Sequence, residues 1–113
     1  MTAIHYVVCF IAGLFLCNGI PHLTAGLRGE PFPSPFTKPR GVAPSPAVVN
    51  FFWGTFNLLA GIVLLMLSSF TLGWNIESAL LAIGFMLAGI PTSWHFEKVR
   101  LNPSDHSNNP PSP

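Results

Sequence analysis

A chain of 113 residues has room for one domain; half of this one is apolar and 8% is charged, against roughly 25% charged in an ordinary soluble domain. The net charge of +1 gives no footprint for nucleic acid. Residues 1–27, 41–76 and 78–96 contain no Asp, Glu, Lys or Arg, so every charge falls in the gaps between three apolar windows. Each window holds a run of about 18–25 residues, enough to cross about 30 Å of hydrocarbon as a helix. The pattern predicts an all-α integral membrane protein: one domain of three transmembrane helices over residues 1–101, then a tail.

The first helix is expected over residues 3–20, with Pro21 near its end and His22–Leu27 able to extend it into the interface. Its start lacks the Lys or Arg of a signal-peptide n-region, so it reads as a retained helix. Cys9 and Cys17 lie about 80° apart on it, which favours free thiols over a disulfide.

Residues 28–45 form a loop that, with Pro46, holds six of the twelve prolines. Proline fixes φ and removes a donor, so the expectation is an extended, stiff segment, neither helix nor strand. Phe32 and Phe36 alternate with the prolines and read as a docking surface. Arg28, Lys38 and Arg40 read as contacts to anionic lipid headgroups.

The second helix is expected over residues 46–71, with Ser45 as N-cap and Gly73 as terminator. The third is expected over residues 76–96, capped by Asn75, with Glu77 favouring the helix dipole and Pro91 inside the span. The tail, residues 102–113, is polar and proline-rich and is expected to be disordered.

With three spans, the first loop and the C-terminus share a side. All five Lys and Arg fall there, which predicts that side to be cytoplasmic and the N-terminus outside. Tyr6 and Trp74 then fall at the outer interface, Trp53 and Trp94 at the inner one. A bacterial inner membrane suits this asymmetry best.

The polar residues of the spans collect toward the predicted cytoplasmic half. Asn18 lies one turn before His22; Asn50, Gly54, Asn57 and Gly61 form one stripe on the second helix; Gly84, Ala88, Pro91 and His95 repeat that spacing on the third. Asn18, His22, Asn50, Asn57 and His95 are therefore the candidate ligand or helix-interface cluster, bonding across a small-residue seam.

Little points to catalysis. No ionisable carboxylate or lysine is expected within a span, and GxSxG, HExxH and phosphate-loop patterns are absent. No cofactor and no metal site are expected. Haem between His22 and His95 lacks a second histidine pair, and His95 and Glu97 are too close in sequence to share a helix face. The expectation is a non-enzymatic membrane protein acting through contacts with the lipid bilayer and with a second copy or another membrane protein. The alternatives are a minimal oligomeric transporter or channel and a haem-binding anchor.

Overall fold

The computed structural model describes residues 2–102. The tail expected to be disordered lies outside them from residue 103 onward. Three helices dominate: α1 (Ala3–Leu27), α2 (Ala47–Leu67) and α3 (Ile76–Leu101). Each is long and apolar enough to span a membrane. Between α1 and α2 sits a small antiparallel hairpin of β1 (Phe32–Pro33) and β2 (Pro44–Ser45), with Phe32 opposite Ser45.

α1 continues through Pro21, and the Thr24 hydroxyl donates back to the carbonyls of Ile20 and Pro21 at 2.8 and 3.1 Å. It ends at Leu27, and Gly29 just beyond the cap takes φ +70°, with its N–H donating to the Gly26 carbonyl and that of Glu30 to Ala25. α2 ends by the same hydrogen-bond pattern with a different residue. Ser69 takes φ +54°, its N–H donates to Met66, and that of Phe70 donates to Leu65.

The helix limits differ from the sequence expectation for local reasons. α2 stops at Leu67, short of Thr71. The following turn is drawn into the cap of α3: the Thr71 N–H donates to Glu77 Oε2 at 3.1 Å, and Asn75 Nδ2 donates to the Thr71 carbonyl at 2.8 Å. At the other end of α2, Pro46 rather than Ser45 holds the cap position. Ser45 is used in β2, with its hydroxyl bonded to that of Ser34. Asn75 caps α3 as expected, accepting from the Ser78 N–H at 2.8 Å. α3 then runs past residue 96 to Leu101, with Lys98 and Arg100 in its last turn, where positive charge complements the negative end of the helix dipole.

α1 is the central element, antiparallel to α2 and parallel to α3, and nearly all helix packing runs through it. Close approach comes from glycine. A Cβ on Gly54 would collide with the Leu23 backbone, and one on Gly84 with the Phe10 carbonyl. Such contacts let helix backbones touch where hydrocarbon solvent provides no hydrophobic drive.

Burial is inverted relative to a water-soluble protein. Asn50, Asn57 and His22 are 0%, 2% and 3% exposed, whereas Phe52 is 66% and Met66 73% exposed. Apolar side chains in such numbers on an outer surface call for lipid or protein cover.

Candidate functional site

The hairpin end of the bundle carries a connected polar network. Asn50 is its hub. Its Nδ2 donates to the carbonyls of Phe32, Ser45 and Pro46 at 2.9, 3.1 and 3.2 Å. Those acceptors orient the amide, so Oδ1 faces His22 Nδ1 at 2.7 Å and the Nδ1–H is the donor. One layer deeper, Asn18 Nδ2 donates to Asn57 Oδ1 at 3.0 Å, and Asn57 Nδ2 donates to the Trp53 carbonyl at 2.8 Å. The two layers thus link α1 to α2 and α2 to the hairpin.

Four of the five expected cluster residues meet here. His95 is placed elsewhere: it is exposed on α3, and its Nε2–H donates to the Gly41 carbonyl at 2.6 Å. Of the expected α3 stripe only Gly84 is buried; Pro91 and His95 face outward. A run of ring contacts leads from His22 to Phe32, from Phe32 to Phe96 and from Phe96 to His95. The two imidazoles therefore have different hydrogen-bond partners, with the Phe32 and Phe96 rings in the chain of contacts between them.

The loop is more ordered internally than an extended proline segment. Thr37 Oγ1 donates to the Ala43 carbonyl at 2.6 Å, and the Gly41 N–H donates to the Ser34 carbonyl at 3.1 Å. Its two phenylalanines take opposite roles. Phe32 turns inward onto His22 and Phe96, with ring centroids 5.4 and 4.6 Å away. Phe36 is exposed and meets Trp53 edge-on at 5.0 Å, and Trp53 stacks on Phe56. Lys38 and Arg40 are exposed, while Arg28 pairs with Glu30 at 3.1 Å on the surface.

A second cluster lies at the opposite end, where α1 begins and α3 starts beside it. His5 Nε2 is 3.2 Å from Glu77 Oε2 and 3.9 Å from Cys9 Sγ. Cys9 is 0% and Glu77 5% exposed. The carboxylate placed by sequence in a helix-dipole role is thus enclosed at the α1–α3 seam. The i, i+4 spacing of His5 and Cys9 was the available signal, since it puts both on one helix face. Their partner across the seam comes from a helix dozens of residues away.

No family model, curated protein or solved structure matches this chain. The three apolar helices and the buried polar residues define a multi-pass helical membrane protein.

Proposed function

We propose that this protein is a small non-enzymatic membrane component that works through contacts, as a homo-oligomer or as an accessory subunit of a larger membrane complex. One observation carries the reading. The hairpin-end network directs its amides and the His22 Nδ1–H at partners within the chain, and in doing so holds the hairpin beside an exposed aromatic face. Phe36, Val49, Phe52, Trp53 and Phe56 line a shallow apolar concavity of about 540 Å³ on that face. A preordered aromatic surface loses little entropy on docking, as an interaction site requires. With all five Lys and Arg on the hairpin side, this face lies toward the cytoplasm and the N-terminus lies outside, in the sense of a bacterial inner membrane.

The test is native mass spectrometry of the protein taken from its own membrane in nanodiscs. The expected result is a defined oligomer or heterocomplex that Phe36→Ala and Trp53→Ala weaken. A clean monomer in the parent protein overturns the proposal.

A second reading, an oligomeric transporter, is favoured by a cavity of about 360 Å³ that reaches Asn18 and His22 past Arg40 and Trp53. It requires solute flux in proteoliposomes that Asn57→Leu abolishes, and absence of flux from the parent protein removes it.

A further inference from the structure

We infer that His5, Cys9 and Glu77 form a binding site for a borderline divalent metal ion of the zinc class, placed between the N-terminal turns of α1 and α3. The geometry is the first support. One imidazole nitrogen, one sulfur and one carboxylate oxygen lie within 4.8 Å of one another. A tetrahedral zinc ion with bonds of about 2.0–2.3 Å places its nitrogen and oxygen ligands about 3.3 Å apart and its nitrogen and sulfur ligands about 3.6 Å apart. The observed 3.2 Å between His5 and Glu77 is close to the first value, and the 3.9 Å between His5 and Cys9 exceeds the second by a few tenths of an ångström. Cys9 and Glu77 lie within 4.8 Å, so the ligands would close modestly around the ion.

Charge is the second. A thiolate and a carboxylate together balance the two positive charges of the ion, so the loaded site is neutral where burial penalises net charge. Mixed N, S and O donors select a borderline ion over calcium or magnesium, which prefer oxygen alone.

The third is ligand support. Glu77 Oε2 also accepts the Thr71 N–H at 3.1 Å, which holds the carboxylate toward α1 from the outer sphere. His5 and Cys9 need no support beyond α1 itself, because the i, i+4 spacing aligns them. Three protein ligands leave a fourth position for water or an exchangeable group, the arrangement of an open zinc site. On loading, Cys9 Sγ–H loses its proton to solvent and the thiolate donates to the metal; no oxidant or reductant takes part. The ion joins two parallel helices at the end that the hairpin network does not reach.

The test uses the full chain in nanodiscs, stripped with chelator and titrated with Co(II) alone. The expected result is one Co(II) per chain, with thiolate-to-cobalt charge-transfer absorption and intense tetrahedral bands that Zn(II) displaces. Cys9→Ser removes the charge-transfer band, and Cys17→Ser retains it. Glu77→Gln keeps an acceptor for the Thr71 N–H, preserves the fold and weakens Co(II) binding at least about tenfold. In a Cys17→Ser background, Zn(II) slows alkylation of Cys9. Absence of a stoichiometric band in the parent protein, or a band that survives Cys9→Ser, overturns the assignment. So does unchanged alkylation with Zn(II).

Discussion

The two ends of this bundle place polar groups in hydrocarbon-flanked positions in opposite ways. At the hairpin end, one buried asparagine reaches three backbone carbonyls and an imidazole, and a second asparagine pair repeats the linkage a layer below. At the other end, a histidine, a thiol and a carboxylate meet with few partners other than one another and one backbone N–H. The first arrangement is dominated by asparagine amides whose N–H groups are taken up by backbone carbonyls and by one another, so it fixes structure. The second is made of titratable and metal-ligating groups with donor capacity left over, so it is chemically available. In a medium that supplies no water, saturation marks scaffold and surplus capacity marks a site.

Asn50→Leu is the sharpest way to break that contrast. It strands the His22 Nδ1–H and the carbonyls that Asn50 holds, so the expected destabilisation is about 2–3 kcal/mol by reversible denaturation in mixed micelles. Limited proteolysis within residues 28–45 should accelerate in the same variant. A loss below about 0.5 kcal/mol would mean that the hairpin is held by its own bonds and its phenylalanine contacts instead.

Gly84→Ala attacks the other end. The new methyl falls on the Phe10 carbonyl, so α1 and α3 must separate, at a cost of about 2 kcal/mol. Fluorescence energy transfer between labels on the first turns of α1 and α3 should report the longer distance. The same variant should reduce Co(II) binding while leaving proteolysis of the hairpin unchanged, which separates the two ends experimentally.

Asn57→Leu removes a single interhelical pair one layer below the hub. The expected cost is about 1 kcal/mol, in keeping with the modest value of hydrogen bonds between membrane helices. An effect as large as that of Asn50→Leu would show that the two layers act as one unit.

Ser69→Gly is the smallest and has the opposite sign. Ser69 holds the left-handed conformation that Gly29 holds at the end of α1. Glycine there should stabilise by about 0.5–1 kcal/mol, net of its greater freedom in the unfolded chain. A raised thermal midpoint with unchanged Co(II) binding would place this turn outside both sites.

The cap of α3 and the small-residue stripe of α2 were legible because both are local. Asn75 caps whatever helix follows it, and Asn50, Gly54, Asn57 and Gly61 share a face at any helical geometry. The partnership of Asn18 and His22 with that stripe needed only helices of known direction, and the two sets of contacts fall at matching depth. The position of His95 was not legible. Its bond to Gly41 depends on the fold of a proline-rich segment whose turns are set by side-chain hydroxyls. Ser45 shows the same difficulty: a good helix cap by sequence, it is taken by a strand pair that sequence periodicity cannot register over two residues.

The sequence by itself determined the number of helices long and apolar enough to span a membrane and roughly where each lies, though not where each ends, because the cost of charge in hydrocarbon separates apolar runs from their gaps without reference to any partner. It also determined which residues line the α2 seam, since helical periodicity fixes a face. Only the tertiary structure decided that α1 is central, that Asn50 rather than His95 organises the hairpin end, and that Glu77 closes onto His5 and Cys9. Those outcomes depend on which backbones can touch. Contact between Gly84 and the Phe10 carbonyl brings the first turn of α3 to the first turns of α1, a pairing between distant segments that no local pattern encodes.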